Sequence, residues 1–526
     1  MIDREARWNR EKSRSSNLFY NRFLERVFLL IIICHPGSWS ETEGTRDPPF
    51  NNVSGFRVLL RSAMKPQNDK ARYMSEKKQD TMQKIVSFSK RRGFIFPACE
   101  IYGGFANAYS YGPYGAELKK NIKDAWWSMF VKERADMVGI DGPILLHPKL
   151  WQASGHTDGF NDAMVDCKKC KKRFRADHLV EELTGQDLEG QLDEMTKILQ
   201  SGEYKCPECG GKDFTEARNL NMMFKTEMNG INEPVYLRPE TAGAIFVDFK
   251  NVTDSMRVKV PFGIAQIGKA FRNEIVARNF IFRIREFEQM EIEYFIDPEM
   301  KWEPLFNEWL DKQEEFLISI GVDKENLRRY EHPKDKLSHY SQKTVDLEYK
   351  FSFGWGEITG LAHRSDFDLT QHSKFSNQKL EYFDAVNNRR YVPHVLEPTF
   401  GLDRSVLVAM TAAYTEEEDR VVMKFPKNIA PIKVAVFPLL KNKPDLVAKA
   451  KEIFGELSKK FTCEFDDNGN IGKRYRRQDE IGTPYCVTVD FDGLEEGSVT
   501  VRDRDTMEQS RVKMDELDKF FEENLR

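Results

Sequence analysis

A chain of 526 residues has room for two to four domains, each with its own core. Hydrophobic residues make up 40% of it and charged residues 31%, the balance of a globular protein rather than of a disordered or membrane-spanning one. A net charge of −4 excludes a uniformly basic nucleic-acid coat and leaves a local basic surface open.

Residues 27–34, VFLLIIIC, imitate the core of a signal peptide after Arg22 and Arg26. The run is far shorter than the roughly 20 apolar residues that span a bilayer, so no membrane association is expected. The segment 1–81 is expected to be a disordered leader or the product of an upstream start codon, with Met64, Met74 or Met82 as the natural start. Eight cysteines are too sparse for a disulfide framework here, which points to a reducing compartment, the cytoplasm.

Leu118, Ile122, Trp126 and Phe130 recur four apart, predicting an amphipathic helix that reaches Gly139 and leads to a short apolar strand opened by Pro143. Residues 163–218 form a distinct polar insert. Cys167 and Cys170, then Cys206 and Cys209, are two knuckles suited to one tetrahedral Zn²⁺ in a structural role, since sulfur fills all four positions. Two unrelated cysteine pairs, or a redox pair, are the alternative. From 235 to 296 the chain reads as strand-rich, 300–345 as a charged helical insert, and 345–361 and 391–400 as strands, the last followed by a helix. Pro426 and Pro431 mark a boundary. Beyond it, 431–526 alternates β and α as an independent small domain.

The stretch FRNEIVARNFIFRIREFEQMEIEYF (271–295) is unusual. Read as a strand of period two from Phe282, one face carries Arg283, Arg285, Phe287, Gln289, Glu291 and Glu293. The other carries Phe282, Ile284, Met290, Ile292 and Tyr294, broken only by Glu286 and Glu288. One face is core; the other is a row of cation, aromatic and anion. Arginines neutralise phosphate, an aromatic ring stacks on a base, and glutamates meet an ammonium, so a nucleotide with a cationic group would fit. A salt-bridge ladder is the structural alternative.

Phe271-Arg272-Asn273-Glu274, a loop, then Arg283 and Phe287 resemble motif 2 of the class II aminoacyl-tRNA synthetases. The helix ending near Pro143 resembles their motif 1, and Glu397-Pro398-Thr399-Phe400-Gly401-Leu402-Asp403-Arg404 their motif 3. Within the class, 151–178, YLRPETAGAIF (236–246) and GWGEITGLAHRSDFDL (354–369) resemble the homodimeric family of glycyl-tRNA synthetases. The resemblance runs from about residue 82 to the C-terminus. It implies an α+β fold: an antiparallel class II sheet flanked by helices over 82–430, a zinc-ribbon-like insert, and an α/β anticodon-binding domain over 431–526.

The same resemblance implies ligation of glycine to tRNA(Gly) through a glycyl-adenylate, with ATP and Mg²⁺. Arg272, Glu274 and Arg404 would be catalytic. ATP would lie against Arg272, Asn273 and Glu274, against Phe282, Arg283, Ile284, Arg285, Glu286 and Phe287, against Glu357 and Ile358, and against Gly401, Leu402, Asp403 and Arg404. Arg272 would hold the α-phosphate, Glu274 the adenine, Arg283 the terminal phosphates and Phe287 the base. Glu357 would help hold Mg²⁺. Glycine would be met by Glu240, Glu291 and Glu397 with Arg364 and Arg175. Phe287, Glu288, Gln289, Met290, Pro398, Thr399, Phe400 and Gly401 would line the rest of its pocket. Thr399 departs from the family's usual serine. In the tail, Asp479 and Glu480 are candidates to read cytosine, and Lys473, Arg474, Arg476 and Arg477 to meet phosphates. A non-catalytic, synthetase-like accessory protein that binds nucleic acid is the rival reading.

Overall fold

The computed structural model describes residues 81–186, 188, 190–274, 279–338 and 340–525. Expectations for the leader up to residue 80 lie outside them. The first element, α1 (Thr81–Arg92), sinks Met82, Ile85 and Phe88 into the main core.

Helix α2 (Pro113–Trp127) buries Leu118, Ile122 and Trp126 of the predicted stripe, and Phe130 is buried just beyond its end. Proline at its first turn removes an N–H that had no helical partner to lose. The helix stops well short of Gly139. It widens into a π turn (Ser128–Lys132), and the chain then pairs as strand β1 (Met137–Gly139). Gly139 is required there, because a Cβ would fall 2.2 Å from the Trp127 ring. The strand expected at Pro143 does not form; only a single bridge joins Leu145 to Leu237.

The stretch expected to be strand-rich holds a helix, α3 (Ala242–Met256), between a two-residue strand (Val235–Tyr236) and the long strands β2 (Phe262–Phe271) and β3 (Glu286–Ile296). The expected helical insert is likewise only half helix. After α4 (Glu303–Ser319), 327–331 forms β4 (Leu327–Glu331), an edge strand beside β5 (Lys343–Phe351). Strand β6 (Gly354–Ser365), helix α5 (Phe367–Ser376), strand β7 (His394–Gly401) and helix α6 (Leu402–Ala413) complete the domain. The sheet order is β4-β5-β6-β7-β3-β2-β1, antiparallel throughout except for β1 on β2.

The two faces of β3 separate strictly. Met290, Ile292, Tyr294 and Ile296 join the core that α2, α4 and α6 cover. Phe295, on the other face, joins a second core beneath α3 and α5, with Phe246, Phe249, Ile264 and Leu369. Glu291 and Glu293 share that second face by alternation.

The polar insert has a small core of its own. Strands 161–166, 173–175 and 218–221 form a three-stranded sheet, and helices Ala176–Thr184 and Leu192–Gln200 pack Leu179, Val180, Met195 and Leu199 against Val165, Phe174 and Phe214. The tail alternates as predicted: β8 (Val434–Pro438), α7 (Pro444–Leu457), β9 (Cys463–Phe465), α8 (Ile471–Ile481), β10 (Tyr485–Val489), β11 (Ser498–Asp503) and β12 (Gln509–Lys513). Its sheet runs β9-β8-β10-β11-β12, with β8 parallel to both neighbours and the rest antiparallel.

Candidate active site

Strands β3, β6 and β7, the segment that joins β2 to β3 and the start of α6 wall a cleft of about 680 Å³ that opens to solvent. Arg272, Glu274, Phe282, Arg283, Phe287, Glu357, Thr399, Gly401 and Arg404 all line it. Arg272 follows the last residue of β2; its guanidinium lies 5.4 Å from the Phe160 ring and 5.3 Å from that of Phe287, and Nε donates to the Pro239 carbonyl. Arg404, in the first turn of α6, pairs with the Glu357 carboxylate at 3.0 Å and lies 4.5 Å over Phe282. Two cations and an aromatic ring therefore face one opening. Arg283 sits 3.9 Å from Glu274.

The strand begins later than period two suggests. Residues 280–282 make a 3₁₀ turn and β3 starts at Glu286, so the predicted alternation fails before that point. Several expected contact residues point elsewhere. The side chains of Ile358, Met290, Phe400 and Leu402 belong to the hydrophobic core, so any contact they make with a ligand is through backbone. Asp403 and Glu288 do line the cleft, but their carboxylates are committed: Asp403 accepts from Tyr111, Lys119 and the Glu288 backbone N–H, and Glu288 pairs with Lys119 and Lys123, which ties α2 to β3 and α6. Glu286 is exposed on Lys269, Arg285 packs over Phe105, and the backbone N–H of Asn273 donates to the Met222 carbonyl.

Behind the cleft lies a pit of acids. Glu291 stands opposite Thr399 on β7 and opposite Gln266 on β2. Its carboxylate accepts from the Thr241 amide at 2.9 Å, from the Thr241 hydroxyl, and from Gln289 Nε2 at 2.7 Å. Burial and the nearby Glu240 raise its pKa. Glu397 accepts from Arg364 Nη1 at 2.7 Å, while Nε and Nη2 of Arg364 fork onto Asp368 at 2.8 and 2.9 Å. Burial pushes Glu397 up to about 8 against the pull of Arg364. Glu240 behaves oppositely: burial alone would raise it, but His156, with Nε2 at 3.2 Å, and then Arg364 and Arg272 hold it at about 2. The pit thus holds one firmly ionised acid beside others that resist ionising.

Arg175 is not in the pit. It pairs with Asp162 at 3.0 Å and with Asp177, in a niche of the insert that Arg283 also lines. Pro398 is buried in β7 beside Leu361. Sequence reasoning missed Thr241 and Arg238, and reads His156 of the SGH stretch as structural or near tRNA rather than as a general base; it stands 3.2 Å from Glu240. Arg238 is 2% exposed and donates to the carbonyls of Gly142, Pro143 and Lys269, and only glycine at 268 leaves it room, a Cβ there falling 2.2 Å from Nη2. Arg238 and Thr241 flank Glu240 in YLRPETAGAIF, where the acid alone suggests a contact with an ammonium.

The four insert cysteines converge, all sulfurs lying within 4.8 Å of one another. Cys167 to Cys209 is 3.7 Å and Cys170 to Cys206 is 3.8 Å. Zn–S bonds of about 2.3 Å set the edges of a ZnS₄ tetrahedron at about 3.8 Å, so the donor set fits the ion. The Gly211 amide donates to Cys209 Sγ, a bond that steadies a thiolate.

In the tail the expected readers are corrected. Asp479 is 1% exposed and accepts from both Nη atoms of Arg502, with Arg420 Nη1 at 3.1 Å, so it has nothing left for a base. Arg474 is equally buried and donates to the carbonyls of Pro438, Asp467 and Gly469 rather than to phosphate. Arg477 is held by Asp466, and Glu480 by Arg92. Lys473 and Arg476 remain exposed on α8.

Residues 224–413 match the family described as tRNA synthetase class II core domain (G, H, P, S and T), and residues 433–524 match the anticodon binding domain. The glycine–tRNA ligase of Acetivibrio thermocellus is 52% identical over 459 residues, covering 84% of this chain and 98% of that one. Those of Clostridium acetobutylicum and Geobacillus thermodenitrificans are 50% and 51% identical over 468 and 462 residues, covering 86% and 85% of this chain and 100% and 98% of theirs. Among the described residues no helix is long and apolar enough to cross a membrane.

Proposed function

The chain belongs to the glycine–tRNA ligase family, and from that membership we propose that it joins glycine to tRNA(Gly) using ATP, both steps taking place in this cleft. The observation that carries the reading is the meeting of Arg272, Glu274, Glu357 and Arg404 at one opening, with a buried acid pit directly behind it. A non-catalytic accessory role leaves that convergence without a purpose.

In the first step a glycine carboxylate oxygen attacks the α-phosphorus of ATP, the bond to pyrophosphate breaks, and glycyl-adenylate forms. Arg272 takes the charge growing on the α-phosphate, while Arg283 and Arg404 hold the terminal phosphates and Phe287 the base. Positioning and charge neutralisation are the whole of the catalysis asked of them. Mg²⁺, when bound, neutralises phosphate charge, and Glu357 at the mouth of the cleft is the carboxylate to hold it. In the second step the 3′-terminal hydroxyl of the tRNA attacks the acyl carbon and AMP leaves.

Glycine offers only an ammonium and the absence of a Cβ. Glu240, Glu291 and Glu397 crowd that ammonium and leave no space for a methyl group. Crowding matters, because an apolar pocket discriminates one methylene by only about 1–3 kcal/mol. The four insert thiolates hold one structural Zn²⁺. Lys473 and Arg476 meet tRNA phosphates. The enzyme works in the cytoplasm as a homodimer; exposed Ile101, Tyr102 and Phe105, ahead of α2, offer an apolar pairing surface.

The test is amino-acid-dependent ATP–pyrophosphate exchange across the twenty amino acids, with Arg272→Ala as control. Exchange with glycine alone, lost in the variant while the fold persists, is the expected result. Tight tRNA binding with no exchange for any amino acid would overturn it.

A further inference from the structure

Glu293 has no role in the account above, yet it is the most deeply buried acid in the pit. It is 0% exposed, and neither carboxyl oxygen has a hydrogen-bond partner among the described residues. It lies on β3 two residues beyond Glu291, facing the same way. Opposite it on β2 stands Ile264, and the β3–β7 register, with Glu291 opposite Thr399 and Tyr294 opposite Leu396, sets Glu397 across from it on β7. The charged groups around it are Glu397 from β7, Arg364 from β6, Glu291 from β3 and Asp368 from α5, with Glu240 from the turn before α3 and His372 from α5 standing beyond them against the same acids and Arg364. His156 and Arg272 lie at the rim against Glu240, and Tyr340 sits 4.2 Å beneath the Arg364 guanidinium.

Five carboxyl groups therefore crowd one central guanidinium, and Arg364 is already committed to Asp368 and Glu397. Uncompensated buried charge costs several kcal/mol, and neighbouring carboxylates escape that cost by sharing a proton. Resting on the glycine reading above, we propose that Glu293 and Glu397 share a proton in the free enzyme, and that the ammonium of glycine displaces it to solvent. Glu293 is then a positioning residue that holds the pit at the right charge for a monocationic headgroup. Burial, then Glu397, drives its pKa well above the ordinary carboxylate range, while Arg364 opposes the rise, in agreement with the geometry.

Below about pH 8, where Glu397 titrates, the pit holds its proton and glycine must expel it. Glycine's own ammonium stays charged through this range. Its KM in pyrophosphate exchange falls about tenfold per pH unit from pH 6 and levels off near 8, while the KM for ATP holds steady. In Glu293→Gln the amide cannot release a proton, Glu397 is relieved of its partner, and the glycine profile flattens. A variant that lowers kcat but keeps the same slope would mark Glu293 as merely structural and overturn the proposal. The unmodified enzyme gives an independent reading. With a non-hydrolysable ATP analogue bound, glycine added in weak buffer with an indicator dye releases one proton per site at pH 7. Glycine exchange with a flat KM profile and no proton release would refute the shared proton and leave the ligase reading standing. No exchange with glycine at any pH would instead remove the functional reading on which it rests.

Discussion

Replacing Arg364 by glutamine removes one charge from the centre of the pit and keeps a long polar side chain. The arginine is 3% exposed and donates three hydrogen bonds to two carboxylates, at 2.7, 2.8 and 2.9 Å. Breaking a buried pair from one side costs about 3–5 kcal/mol, because the partner is left charged and unsolvated. Against a total stability on the order of 5–15 kcal/mol, that is a large share. The acids have one way out: Glu397 and the glutamates crowded against it can bind protons. The folded variant then binds more protons than its unfolded chain, so its stability is retained in acid and falls as pH rises. Urea unfolding at pH 5.5 and pH 8, followed through the buried Trp126 and Trp309, reads this directly. The expected loss is about 3–5 kcal/mol at pH 8 and clearly smaller at pH 5.5. A loss under about 1 kcal/mol, or one equal at both pH values, would refute the idea that Arg364 is the counter-charge of the pit.

His156→Ala removes the neighbour that does most to hold Glu240 down to about 2. The stability due to that depressed carboxylate is present above the ordinary carboxylate range and is lost as pH falls toward 2. The variant should unfold at higher pH in an acid titration followed by circular dichroism, losing about 1.4 kcal/mol for each unit the Glu240 pKa rises; an unchanged midpoint counts against the pairing. Cys206→Ser should take bound zinc, measured by mass spectrometry, from about one per chain to none and open residues 161–221 to protease. Retained stoichiometric zinc would remove the four-sulfur site. Asp479→Asn leaves Arg502 and Arg420 buried without their carboxylate and should cost about 3–5 kcal/mol, read as a lowered Tm. If the Tm holds while tRNA binding alone is lost, Asp479 reads the anticodon after all.

The hairpin of β2 and β3 was legible in the sequence because its chemistry and its period agree from Glu286 onward. Helix α3 was hidden for the opposite reason: AGAIFVDF is an apolar, partly β-branched run whose period does not distinguish helix from buried strand. Strand β4 escaped notice because LRRYE is an edge strand with mostly exposed residues, so no apolar alternation announces it. In the pit, sequence supplied Glu240, Glu291, Glu397 and Arg364 but not their pairing. Which acid receives the guanidinium and which receives His156 is decided by strands and turns far apart in the chain. The same blindness made Asp479 look like a solvated reader: a charge run gives no sign that one member will be capped by Arg420 from another domain.

The separation of faces on β3 bears on how this enzyme can change over evolution. Each residue of the strand advances the chain about 3.3 Å and reverses the side it presents. One residue inserted between Glu286 and Met290 would send Glu291 and Glu293 into the aliphatic layer beneath α2 and turn Met290 and Ile292 toward the substrate. Point changes along the strand can therefore be sampled singly, but a frame change there exchanges solvent chemistry for oil in one event. Lengthening and shortening of this gene are confined to the joints between strands, and a new amino-acid preference has to be reached by substitution alone.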